Sequence, residues 1–210
     1  MASIPGAIYR ELPGDAHPPY RGNANDYLNA IRDFVLGENA PATAPAASQR
    51  VLASVLFTDI VGSTEHQARL GDRAFRELLN QHDAISKRLI ERCNGRFVSG
   101  TGDGLLATFN APTDAISCAD AIRDGMTGID LTIRAGVHTG EIEIRGDDIS
   151  GISVNIASRI ANQATANEIL TSDLTRQLMI GSPVEFESRG DFELKGVPGA
   201  WPLFVASLSR

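Results

Sequence analysis

The order in which strand-like and helix-like segments follow one another after residue 50 restricts this chain more than any other feature. VLASVLF (51–57) is short, apolar and β-branched, as a buried strand is. FRELLNQHDAISKRLIERC (75–93) sets Leu78, Leu79, Ile85, Leu89 and Ile90 near helical spacing and stops at Asn94 and Gly95. RFVS and LLATF are two short strand candidates on either side of the turn-forming GTGDG (100–104). TDAISCADAIRDGM is helical in period, with Pro112 and Thr113 as start signals, and LTIRAGVHTG (131–140) is again a strand.

Read in sequence, these segments are β-α-β-β-α-β. That is the split βαβ, ferredoxin-like arrangement of the α+β class, an antiparallel sheet with both helices on one face. Beyond it EIEIR reads as a strand and SVNIASRIANQA as a helix, and short strands ending in WPLFVA complete an added C-terminal αβ subdomain. Upstream, APATAPAASQ (40–49) replaces periodic apolar residues with Ala, Pro, Ser and Thr and reads as a linker. The expected organisation is therefore an N-terminal segment at 1–39, a linker at 40–50 and a main domain at 51–206. In the first segment Tyr27, Leu28, Ile31, Phe34 and Val35 recur at helical spacing, but one helix and one extended piece do not make a core.

A chain of 210 residues with 42% hydrophobic content can bury one substantial core. Its net charge of −7, with no lysine- or arginine-rich run, argues against nucleic acid as a partner. No apolar stretch approaches the roughly 20 residues of a membrane span, and MASIPGAIYRELPGD lacks the basic-then-apolar order of a signal peptide, so a cytoplasmic protein without a membrane partner is expected. Cys93 and Cys118 match no metal-ligand spacing and are expected to be small hydrophobes.

The acidic residues that stand out are Asp59, where the first strand ends in FTDIVGST (57–64), and Asp103, in the glycine-rich hairpin turn. Alone, the first reads as a helix N-cap and the second as an ordinary turn residue. In the split βαβ order, however, the first and third strands are neighbours, so both carboxylates can reach one edge of the sheet. Such a pair, with glycine and hydroxyls beside it, suits Mg²⁺ carrying a polyphosphate. The amides of Val61, Gly62, Ser63 and Thr64 are placed for phosphate if a helix starts there.

FTDIVGST, GTGDGLLATF, RAGVHTGEIEIRGDDISGISVNIASR and FELKGVPGAWPLF, in that order, resemble the catalytic domain of the class III nucleotidyl cyclases over about Val51 to Ala206. The resemblance implies a head-to-tail homodimer with shared active sites. It implies two Mg²⁺ or Mn²⁺ ions per site held by Asp59, Ile60 and Asp103, so that the ribose 3′-hydroxyl of ATP can attack the α-phosphate. From the partner chain, Asn155 corresponds to the residue that orients the ribose and Arg159 to the one that stabilises the transition-state phosphate; their spacing of four puts both on one helix face. Asp148 matches the aspartate that reads adenine, and Ser99 stands where adenylyl cyclases carry a base-reading lysine. Arg145 and Lys195 are the candidates for triphosphate contacts, each more readily read as an ordinary solvated charge. Arg134 and His138, alternating on one side of a strand, read as structural.

ELPGDAHPPYRGNANDYLNAIRDFVLG also resembles the C-terminal end of an α/β-hydrolase, with His17 in place of the general base and no serine or acid partner ahead of it. Two alternatives to an adenylyl cyclase stay open at this point. One is a degenerate domain kept for nucleotide binding or dimerisation, and the other is a guanylyl cyclase.

Overall fold

The computed structural model describes residues 49–208 together with Leu28 and Ile31, which are helical and exposed. Apart from those two residues, the hydrolase-like segment at 1–39, with His17, and nearly all of the linker lie outside the described residues. The chain divides after Pro45 into two units, and the fold below is that of the second.

The core elements follow the expected order, with one more helix between the first two strands. β1 (Gln49–Ile60) is followed by α1 (Ser63–Leu70) and α2 (Asp72–Arg92), then by the hairpin β2 (Arg96–Gly100) and β3 (Gly104–Phe109). Next come α3 (Pro112–Thr127), β4 (Ile133–Arg145), β5 (Asp148–Ser150) and α4 (Ile152–Gln163). The chain closes with β6 (Ile169–Ser172), α5 (Asp173–Leu178), β7 (Val184–Glu193) and β8 (Ala200–Leu208). One sheet runs β2-β3-β1-β4-β6-β8-β7, with β5 paired to β4. Its first four strands are antiparallel neighbours, the ferredoxin-like core. The C-terminal elements extend that same sheet through a parallel β4–β6 pair.

Strand alternation sends the two sides of β1 to different layers. Leu56 and Ile60 join Ile116, Ile122 and Met126 of α3 in the larger core, with Ile90 of α2. Ala53 and Val55 face the other way, against Ile142 and Ala157 of α4. Helices α2 and α3 thus share one face, as the pattern requires, and α4 occupies the opposite one. Cys118 is wholly buried in the larger core, where burial and the nearby Cys93 push its thiol pKa up.

Two expected strands, LTIRAGVHTG and EIEIR, are one strand. β4 stays paired with β1 from Ile60↔Ile133 to Gln49↔Ile144, and Gly140 does not interrupt it. The glycine is there for close approach: a Cβ on Gly140 would lie 2.3 Å from Ser153 Oγ, and one on Gly136 would lie 2.2 Å from the Ala161 amide nitrogen. These two positions let α4 lie directly on the sheet.

His138 is buried between them. One ring nitrogen, Nδ1, shares a hydrogen bond with Ser172 Oγ at 2.7 Å, and the ring meets Trp201 edge-on. Burial lowers its pKa to about 4. The unfolded chain takes up that proton near pH 6.5 and the folded chain only near 4, so this contribution to stability is complete above 6.5 and declines as the pH falls towards 4. Between pH 7 and 4.5 the wild type should lose about 2–3 kcal/mol more than His138→Gln, measured by urea unfolding at both pH values. Equal losses would show that His138 does not carry this dependence.

Candidate active site

The register of β1 assembles the site. Asp59, one residue before the strand ends, pairs with Gly104 of β3 on one side and with Arg134 of β4 on the other. Gly104 follows Asp103 directly, so the pairing brings the two aspartates together. The closeness depends on a missing side chain, because a Cβ on Gly104 would stand 1.9 Å from the Thr58 carbonyl oxygen. The turn is pinned by a bond from the Ile60 amide to the Asp103 carbonyl at 3.0 Å.

Both carboxylates are half-buried. Asp59 Oδ2 accepts hydrogen bonds from Arg134 Nε at 2.8 Å and from Nη2. Asp103 Oδ2 accepts one from the Ser63 hydroxyl. Burial raises the pKa of Asp59; the Arg134 hydrogen bond opposes the rise, and the negative charge of Asp103 adds to it. A carboxylate whose charge stays unfavourable beside a bound guanidinium is in a setting where a divalent cation lowers the energy of both acids. The donor set of two carboxylates and the Ile60 carbonyl suits a hard cation that fills its remaining positions with water or phosphate oxygens. Among the described residues no group of three or more His, Cys, Asp and Glu side chains offers an all-protein cage.

Helix α1 starts at Ser63 behind Gly62, whose φ of 68° is a left-handed conformation that glycine adopts without strain. Its first helical bond runs from the His66 amide to the Gly62 carbonyl, so the Ser63 and Thr64 amides have no acceptor within the helix. The expectation for Val61 is corrected, because its amide is bonded to the Thr132 carbonyl at 2.8 Å and is not free for phosphate. Ile60, Val61, Gly62, Arg134 and Thr165 line a cavity of about 240 Å³ adjoining Asp59.

The other expected residues stand apart. Asn155 is exposed and Arg159 half-buried on α4. Ser99 is half-buried in β2 next to a register shift, and Asp148 is exposed at the start of β5, accepting a bond from the Ile149 amide. Arg96 of β2 donates to the Asp147 carbonyl at 2.8 Å, so the strand of Ser99 and the turn before Asp148 meet. Arg145 pairs with Glu143 at the far end of β4, roughly 35 Å along the strand from Arg134. Lys195 is exposed in the β7–β8 turn. Among the described residues, no hydrogen bond or ion pair joins any of these six to Asp59 or Asp103. Arg134, expected to be structural, is bonded directly to Asp59 of the candidate site. Its spacing of 75 residues from Asp59 gives no signal, and only the strand register reveals it.

The sequence profile described as "Adenylate and Guanylate cyclase catalytic domain" matches residues 46–205. The chain belongs to this family. Putative adenylate cyclase 3 of Rhizobium meliloti is 27% identical over 158 residues, 71% of this chain and 27% of that protein, so the chain spans about a quarter of that relative. The crystal structure of the adenylyl cyclase CyaB from P. aeruginosa superposes with a TM-score of 0.72 at 27% identity, covering 78% of this chain and 97% of that one. The guanylate cyclase domain of RhGC from Catenaria anguillulae, solved with GTP, shares the fold with a TM-score of 0.69 at 22% identity, covering 77% and 100%. The fold of this cyclase domain is accordingly the class III fold. Among the described residues no helix is long and apolar enough to cross a membrane.

If the Asp59–Asp103 approach depends on the bare Cα at 104, Gly104→Ala should destabilise the domain by about 2 kcal/mol or more, the scale of an overpacked site. Gly100→Ala, where the nearest atom to a new Cβ is 4.0 Å away, should stay within about 0.5 kcal/mol. Chemical denaturation of both variants decides it, and equal stability would contradict the close approach.

Proposed function

We propose that this cyclase domain acts on ATP, forming 3′,5′-cyclic AMP and pyrophosphate, as a head-to-tail homodimer whose two sites each draw on both chains. The observation that carries the reading is the meeting of Asp59 and Asp103 at one end of the sheet, with Asn155 and Arg159 on another element and, among the described residues, bonded to neither. Mg²⁺ or Mn²⁺, two per site, would be held by Asp59, Asp103 and the Ile60 carbonyl and supply Lewis-acid stabilisation of the entering and leaving oxygens. The Ser63 and Thr64 amides at the start of α1 and the remaining donors of Arg134 favour the phosphates in the adjoining cavity. The partner's Asn155 orients the ribose. The partner's Arg159 meets the charge that builds on the α-phosphate as the 3′-hydroxyl attacks in line, because a guanidinium stays ionised throughout. Arg145, at the far end of β4 from Arg134, would reach a triphosphate only from a partner chain.

Asp148 supports ATP over GTP, since its carboxylate can accept from the adenine amino group and is opposed by the guanine carbonyl. The adenylyl cyclases among the similar proteins support the same choice. Ser99 is short and uncharged where a lysine would read the ring, which favours slow turnover and loose purine selection. It is also the one feature that favours the second reading, a nucleotide-binding module without turnover.

Purified protein with Mn²⁺ and ATP should yield cyclic AMP, with less cyclic product from GTP, as resolved by chromatography. Asp59→Ala and Arg159→Ala should each lose at least about 100-fold. Mixed in equal amounts and allowed to exchange, the two inactive variants should recover about a quarter of wild-type activity, since about half the dimers are mixed and each of those has one intact site. No product from the wild type would favour the non-catalytic module. No recovery, with mixed dimers demonstrated, would contradict sites built from two chains.

A further inference from the structure

Ser63 makes a bond that its place in the helix does not require. The N-cap of α1 is Gly62, so Ser63, the first helical residue, is outside the capping position and its hydroxyl is not called on by the first turn. The Ser63 hydroxyl instead donates to Asp103 Oδ2, forty residues away in sequence, in the turn between β2 and β3. Asp103 is also tied down through its main chain, by the Ile60 amide, and its carboxyl group lies within hydrogen-bonding reach of that of Asp59. The partner carboxylate shows the same division of labour, since Asp59 commits Oδ2 to Arg134. Among the described residues no nitrogen or hydroxyl donor reaches Oδ1 of either aspartate.

We propose that Ser63 is a positioning residue for the metal pair. Its hydroxyl fixes the rotation of the Asp103 carboxylate, so that the oxygen it leaves free is presented to the same cation as the free oxygen of Asp59. The inference rests on the reading of these two aspartates as metal ligands and goes beyond it, giving Ser63 a task separate from any contact of its amide with phosphate. The physical reason is torsional. The last torsion of an aspartate side chain is broad and nearly two-fold, and the main-chain bond to Asp103 does not restrain it. One charge-assisted hydrogen bond does. Partners of this kind, one bond removed from the cation, typically govern about 10–100-fold in metal affinity.

The test titrates Mn²⁺ alone into the full chain and follows free Mn²⁺ by electron paramagnetic resonance. Ser63→Ala should bind about 10-fold more weakly or worse, while Ser63→Thr, which keeps the hydroxyl, should stay within about threefold of wild type. In the cyclase assay the Mn²⁺ concentration for half-maximal rate should rise for Ser63→Ala and stay near the wild-type value for Ser63→Thr. Alanine is a strong helix former at this half-buried position, and a thermal melt verifies the fold. Ser63→Ala binding as tightly as wild type, or Ser63→Thr as weak as Ser63→Ala, would overturn the proposal. Asp59→Asn separates the two levels. If it binds Mn²⁺ as wild type does, the metal reading itself fails and this inference with it. If Asp59→Asn is weak and Ser63→Ala is not, the positioning role alone is wrong.

Discussion

The pairing of β1 with β3 and β4 at once is the constraint on which the rest of the site depends. A strand in the middle of a sheet has its register set on both sides, and at Asp59 the neighbours are Gly104 and Arg134. One side delivers a second carboxylate and the other a guanidinium, so charge of both signs gathers at one strand end. Neither arrangement tolerates a slip. A shift of one residue would turn Asp59 towards the α2 and α3 layer and expose Leu56 or Ile60. The two apolar layers that hold the fold therefore also hold the carboxylates.

Under the proposed pairing one chain is not the whole site, and the opposite face of the sheet is where that division arises. Gly136 and Gly140 draw α4 onto β4, burying Ile156, Ala157 and Ile160 and leaving Asn155 and Arg159 on the side turned from the sheet. A helix packed this tightly cannot swing its polar face round to Asp59. On the same face as α4, Val51, Phe57, Val98 and Ile144 remain only half-buried. Under the proposed pairing, the partner supplies the ribose and phosphate contacts that the chain's own α4 cannot.

How far the sequence reached follows from what period and spacing can encode. The strand and helix order was readable because β1, α2, the β2–β3 hairpin and α3 each carry a clean period and a stop signal such as Asn94–Gly95. The continuity of β4 was not, because a glycine inside a strand looks like an end unless the helix lying over it is known. Asp59 and Asp103 stood out through their glycines and through the neighbouring places of their strands. Arg134 did not, since cross-strand partners 75 residues apart leave no local trace. The Ser63–Asp103 bond is of the same kind, a contact between two turns whose meeting is fixed by packing elsewhere. Asn155 and Arg159 gain their significance only from the family motif around them, since nothing within one chain distinguishes them from solvated residues.

Anomalous diffraction at the manganese edge, on crystals grown with Mn²⁺ and a 3′-deoxy analogue of ATP that cannot cyclise, locates the metals and the nucleotide relative to both chains. Manganese peaks are expected at coordination distance from both Asp59 and Asp103 of one chain, with Arg159 of a second chain facing the α-phosphate. Manganese bound away from the two aspartates, or a nucleotide held within a single chain, would contradict it.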